Sequence, residues 1–183
     1  MNAVYFLVDF IFGLYLMIVL LRLWLQAARA DFYNPLSQGI VKATHPILAP
    51  MRRVLPSIGP IDTAIVVLAL IVSSVKIVVI NALFSSGFPA ISALAVGAVI
   101  DVIKEGLQLV FWVLLLRAIL SWVSQGSSPV EYLLHQLTEP LLAPIRKILP
   151  STGGFDFSIL IAVVALQFFQ ILLNDVLRTL LSV

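Results

Sequence analysis

The sequence predicts an all-α membrane protein with four transmembrane helices in two parallel repeats, each with a cytoplasmic interfacial amphipathic helical segment between its two spans. Three observations predict it. First, 61% of the 183 residues are hydrophobic and only 11% charged, with a mean hydropathy of +1.12, whereas soluble domains carry roughly 25% charged residues. Second, several apolar runs reach the ~20 residues needed to cross a bilayer, longer than a buried strand or core helix requires. Third, the chain repeats itself. Thr44 to Asp62 recurs as Thr138 to Asp156, with eleven of nineteen positions identical at an offset of 94. Such self-similarity marks a duplicated structural unit.

The elements follow in order. The four expected spans are roughly residues 3–26, 63–84, 100–123 and 158–181. Ala28-Arg29-Ala30 imitates a signal-peptide cleavage box, but the apolar stretch from Ala3 to Ala27 exceeds an h-region of about 7–15 residues and lacks a basic n-region before it. It reads as a retained helix. The third span is ambiguous at its start: Ala90 to Val123 is interrupted only by Gly97, Asp101, Lys104, Glu105 and Gly106. One overlong tilted helix, or a short interfacial helix followed by a span, both satisfy this pattern. A separate fifth span is strained, because Phe88 to Ile103 is only 16 residues.

The repeat sets the boundaries at 1–87 and 88–183, each unit reading span, amphipathic segment, span. Two spans per unit return the chain to its starting side, so the copies are parallel and the inverted-repeat logic of many transporters does not apply. Arg22, Arg29, Lys42, Arg52, Arg53, Arg117, Arg146 and Lys147 lie in or beside the two long connections, and only Lys104 and Arg178 fall on the other side. The positive-inside rule then places both connections in the cytoplasm and both termini in the periplasm.

In the second connection Val130, Leu133, Leu134, Leu137, Leu141, Leu142, Ile145 and Ile148 recur at intervals of three and four, the period of one apolar helical face. Such a segment lies in the membrane interface rather than across it. Pro140 and Pro144 lack backbone donors, so two short helices with a bend at Pro140 are expected. In the first connection Ile47, Leu48, Met51, Val54 and Leu55 form the apolar face beside Arg52 and Arg53. Arg52, Arg53, Arg146 and Lys147 end the amphipathic helices, where the helix dipole favours cations and anionic head groups lie close; they are candidate contacts to lipid or a partner. Pro56 and Pro150 stop these helices, Gly59 and Gly153 permit the turn, and Asp62 and Asp156 stand where they would cap the following spans.

Ionisable groups at membrane depth are functional candidates, since each costs about 2.5–3.5 kcal/mol at mid-helix on insertion scales. Lys76 and Asp9 fall at similar depths and are expected to pair, as a structural tie or part of an ion path. Gln167, Gln170 and Asn174 form a polar stripe at i, i+3 and i+7 of the last span, which should face protein rather than lipid. Lys76 and Gln170 are equivalent in the repeat. Arg22 and Arg117 near the cytoplasmic span ends, with Trp24 and Trp122, are expected to anchor the interface, the arginines by snorkelling.

Asn34-Pro35, Pro46 to Pro56 with Arg52-Arg53, and Gly59 to Asp62, with their second copy in Ser128-Pro129, Pro140 to Pro150 and Gly153 to Ser158, resemble the YggT family, also called YlmG-like. The resemblance covers nearly the whole chain. Trp112 to Leu115 and Ser121 to Gly126 are similar to its proteobacterial branch, which implies a multi-pass protein of the bacterial inner membrane. The resemblance implies an association with osmotic stress tolerance and potassium-linked phenotypes, with cell division or nucleoid organisation, or, in plastids, with haem attachment to a cytochrome. It carries over no catalytic residues. Glu139 replaces His45 in the second copy, which argues against a paired-histidine haem or metal site.

The composition narrows function further. Cysteine is absent, which removes disulfides, thiol nucleophiles and thiolate metal sites. There is no glycine-rich phosphate loop, metal-spaced cluster or activated nucleophile, so no enzyme and no cofactor are expected. A net charge of +2 on so few charged residues reflects membrane topology rather than nucleic-acid binding. The expected partners are anionic lipid, a second copy or another membrane protein. An interaction or assembly protein acting through the paired basic segments is the leading reading, ahead of an ion-transport component and of a cytochrome maturation factor.

Overall fold

Helix-forming runs of Leu, Ala, Val and Ile free of internal glycine pairs dictate an all-helical chain, and the computed structural model is one. It describes residues 2–59, 61–84, 88–123, 128–148 and 157–181, excluding the side chains of 122, 123, 180 and 181. Six helices occur among them: α1 Ala3–Ala27, α2 Pro35–Met51, α3 Thr63–Phe84, α4 Ile91–Val123, α5 Pro129–Ile148 and α6 Phe157–Leu181. Among the described residues three helices are long and apolar enough to cross a membrane: α1, α3 and Phe157–Thr179 of α6. At 1.5 Å per residue, the 25 residues of α1 extend about 37 Å, enough to cross a ~30 Å hydrocarbon core with some tilt.

The chain divides into two compact units, Met1–Leu109 and Val110–Val183. This division falls inside α4, whereas the sequence repeat leads one to expect it at 87/88. In the first unit α1 and α3 pack along one face each. Gly13, Leu16, Val19, Leu20 and Leu25 are buried on α1, and Ile65, Leu68, Ala69, Val72 and Lys76 on α3, the three- and four-residue spacing of a helical stripe. Tyr5 and Phe84 meet edge-on with centroids 5.8 Å apart. The opposite face of α1 exposes Val4, Phe6, Leu7, Phe10, Ile11 and Leu14, as a lipid-facing surface should. In the second unit Leu114, Leu142, Ile159 and Ala162 form the core, with Val110, Ala118 and Ile145 packed against it.

One open alternative is decided and one expectation is corrected. The stretch from Ile91 to Val123 is one helix of 33 residues, the overlong alternative; no breaker stronger than the isolated Gly97 and Gly106 interrupts it. The second amphipathic segment is also one helix of 20 residues with Pro140 and Pro144 inside it, not two helices meeting at Pro140. α2 likewise contains Pro46 and Pro50. Each proline removes one backbone bond, and burial of Leu133, Leu134, Leu137, Thr138 and Leu142 along one face of α5 offsets that loss.

The ends of the elements have local causes. α2 begins at Asn34, whose side chain accepts from Leu36 N at 3.0 Å, with Pro35 in the first turn. α1 closes in a Schellman-like arrangement: Arg29 N donates to Gln26 O, and Ala30 N to Leu25 O at 2.9 Å. Arg29 therefore adopts φ 50°, a left-handed conformation that glycine accepts at least cost. Between α2 and α3, Ile58 and Ile61 exchange both backbone bonds, and Gly59 takes φ 59° in that turn.

Candidate functional site

Two constellations hold the chemistry. The first is a buried ionic cluster. Lys76, 4% exposed on α3, directs Nζ at Asp101 Oδ1 of α4 at 2.5 Å, with Asp9 Oδ1 of α1 at 3.6 Å and Glu105 Oε1 at 3.7 Å. Ser73, three residues earlier on α3, donates to Asp101 Oδ2 at 2.6 Å. Three carboxylates thus surround one ammonium. A Cβ on Gly13 would stand 3.3 Å from Glu105 Oε1, a tight contact that the glycine relieves. The sequence reading pairs Lys76 with Asp9 and misses Asp101 and Glu105 as partners. Their i, i+4 spacing on α4 is the available signal; it puts both on one face.

The second constellation recurs in the two units. Arg22 of α1 donates from Nη1 to Thr44 Oγ1 and, at 3.1 Å, to Val41 O of α2. Thr44 Oγ1 in turn donates to Ile40 O at 2.8 Å. In the second unit Arg117 of α4 donates to Thr138 Oγ1 of α5, and Thr138 Oγ1 to Leu134 O at 2.7 Å. Both threonines are fully buried, and Arg22 and Arg117 are only 5% and 7% exposed. Snorkelling requires an exposed head group, so the anchoring expectation for these arginines is corrected: each ties an amphipathic helix to the helix before it. Trp24 is half-buried on α1, and the side chain of Trp122 lies outside the described residues.

The remaining expected residues divide between the units. Asp62 Oδ1 accepts from Ala64 N at 3.0 Å, the geometry of a helix N-cap. Its Oδ2 accepts from Arg52 Nε at 2.7 Å and lies 2.6 Å from Arg52 Nη2, an ion pair absent from the sequence reading. Thr63 Oγ1 adds a bond to Pro56 O at 2.7 Å, so the α2–α3 turn is fastened at both ends. Arg53 is exposed. Asp156 lies outside the described residues.

In the second unit Arg146 donates to both carboxylate oxygens of Glu139 at 3.0 Å, and Glu139 Oε2 also lies 3.5 Å from Arg117 Nη2 and 3.3 Å from His135 Nε2. Glu139 is thereby a carboxylate hub, and Lys147 is exposed one residue beyond Arg146. On α6 the polar stripe is only partly covered: Gln167 and Gln170 are half-buried and Asn174 is exposed. Gln170 Nε2 is buried without a partner among the described residues. This chain covers the stripe only in part, because the buried positions described on α6, Ser158, Ile159 and Ala162, all lie at its start.

Among the described residues no group of three His, Cys, Asp or Glu side chains is arranged to hold a metal ion. The comparisons with known proteins agree on one family. The CCB3/YggT family model matches residues 1–83 and 96–177. The chain is 53% identical over 179 residues to the "uncharacterized protein in proC 3'region" of Vibrio alginolyticus, covering 97% of this chain and 96% of that protein. It is 45% identical over 181 residues to the "uncharacterized protein YggT" of Escherichia coli K12, covering 97% and 93%, and 44% identical over 173 residues to a Pseudomonas aeruginosa protein, covering 93% and 88%. No solved structure matches. An all-helical chain with three candidate membrane helices among its described residues, matched by that family model along almost its full length, belongs to the CCB3/YggT family.

Proposed function

We propose that this chain is a non-enzymatic multi-pass protein of the bacterial inner membrane that crosses it four times as two parallel repeats, 1–87 and 88–183. It presents two basic amphipathic helices on the cytoplasmic face as a surface for assembling a membrane or envelope protein complex. The observation that carries this reading is the doubled arginine-to-threonine tie. A helix that only floats in the head groups needs no buried, charge-assisted bond to a transmembrane neighbour, whereas a docking surface gains from being held in one position. Lys42, His45 and Arg53 are exposed in the first segment and His135 and Lys147 in the second, so both tied helices offer cationic and titratable groups outward.

The test is photocrosslinking in intact cells from positions 45 and 135. A defined membrane protein should be captured from both, and the capture should be lost in the charge reversals Arg53→Glu and Lys147→Glu. Recovery of lipid alone, or capture indifferent to those reversals, counts against the reading.

A second reading, a component of ion movement linked to osmotic stress, is favoured by the Lys76 cluster. Three carboxylates converge on one lysine, and intramembrane ionisable groups of this kind mark ion and proton pathways in other proteins. Potassium flux in proteoliposomes, lost in a Lys76→Met/Asp101→Asn double variant that still folds, would support it. Absence of flux above empty liposomes would remove it.

A further inference from the structure

We propose that the first unit contains a binding site for a phosphate group, of the size of a phospholipid head group, in the cavity that Arg22, Lys42 and Arg52 line together. The cavity has a volume of about 430 Å³, within the ~300–1,000 Å³ range of small-molecule sites. Gln26 and Gln38 add amide donors to its wall, and Phe32 adds an apolar surface. Among the described residues no carboxylate lines it. A phosphate needs several donors around a net positive charge, and these residues supply both.

The second unit shows what the first lacks. At the repeat offset of 94, Arg52 corresponds to Arg146, His45 to Glu139 and Lys42 to Gln136; Arg22, with one gap, corresponds to Arg117. Glu139 accepts from Arg146 at 3.0 Å and lies 3.5 Å from Arg117, so an internal anion bridges the two arginines. In the first unit position 45 is histidine and an extra cation stands at Lys42. Asp62 engages Arg52 only through Nε and Nη2. Arg22 commits Nη1 to α2, and its side chain lines the cavity. Asp62 balances Arg52, and a bound phosphate would balance the remaining cations, Arg22 and Lys42.

The level of the site identifies its ligand class. Arg22 lies five residues before the end of α1 at Ala27, about 7 Å along the helix axis. If α1 spans the bilayer, that is head-group depth. The cavity therefore suits the phosphate of an anionic glycerophospholipid, and the same chemistry would accept a free phosphate from solution. The inference needs α1 to be a span; it does not depend on any partner protein docking at the amphipathic helices.

Full-length protein in a neutral detergent would be titrated with dioleoyl phosphatidylglycerol, dioleoyl phosphatidylcholine and sodium phosphate, with binding read by native mass spectrometry and thermal unfolding. Phosphatidylglycerol should bind more tightly than phosphatidylcholine. Lys42→Gln, on an exposed side chain, should weaken it about fivefold. Lys42→Glu, which places a carboxylate in the cavity wall itself, should abolish it while the protein remains as thermostable as the parent. Competition by sodium phosphate alone would identify a free phosphate as sufficient; its failure to compete would assign the site to the lipid. Equal binding of the two lipids with no effect of sodium phosphate would overturn the proposal. So would phosphatidylglycerol binding unchanged in both variants.

Discussion

At Arg22 and Arg117 a charged donor meets a buried threonine hydroxyl. A hydrogen bond to a charged group contributes about 1.5–3 kcal/mol, and truncating the threonine removes that bond from a buried site. Thr44→Val and Thr138→Val should each destabilise the protein by about 2 kcal/mol, measured by thermal unfolding in detergent, with Lys104→Gln, at an exposed position, as the neutral control. Equal stability of the valine variants and the parent would mean that the ties contribute nothing. Arg29 offers the opposite sign. Its φ of 50° costs an L-residue roughly 1 kcal/mol relative to glycine, so Arg29→Gly should raise stability by about that amount. A loss instead would show that the Arg29 side chain makes a compensating contact.

At the scale of elements, the Lys76 cluster joins α1, α3 and α4 through one ammonium. Removing one partner of a buried ion pair typically costs about 3–5 kcal/mol because the other charge is stranded, whereas replacing both can be neutral. Lys76→Met should therefore be strongly destabilising, and adding Asp101→Asn should restore part of the loss. A double variant no better than the single one would show that the two charges are not coupled. The continuous proline-containing helices α2 and α5 belong to the same scale. Proline spacing read alone predicts a break, but the buried faces of Ile40, Thr44 and Leu48 and of Leu133, Leu137 and Leu142 hold each helix through its missing bonds. Local rules overestimate the break because packing energy is not a local quantity.

For the whole molecule, the proposed topology makes both termini periplasmic. A tag added at either end should be reactive to a membrane-impermeant reagent in intact spheroplasts; protection of one terminus alone would require an odd number of crossings and defeat the parallel arrangement. Much of α6 exposes apolar residues, among them Leu160, Val164, Phe168 and Ile171. Lipid satisfies such a surface where water would not. Asn174 and the half-buried Gln167 and Gln170 stand on that same helix, so it carries polar groups that the second unit covers only in part.

The sequence by itself determined that this chain is helical and membrane-embedded, where α1, α3 and most of α6 begin and end, that Asp62 stands before α3, and that Lys76 needs an acidic partner. Those follow from apolar run length, from residues with one dominant local role, and from the cost of a charge in lipid. Tertiary structure decided which carboxylates meet Lys76, that Arg22 and Arg117 turn inward to threonine, that Arg52 clasps Asp62, and that Glu139 gathers Arg117, Arg146 and His135. These depend on which helix faces are brought together across long stretches of chain, and a one-dimensional pattern carries the depth of a charged residue in the membrane but not the identity of its neighbour.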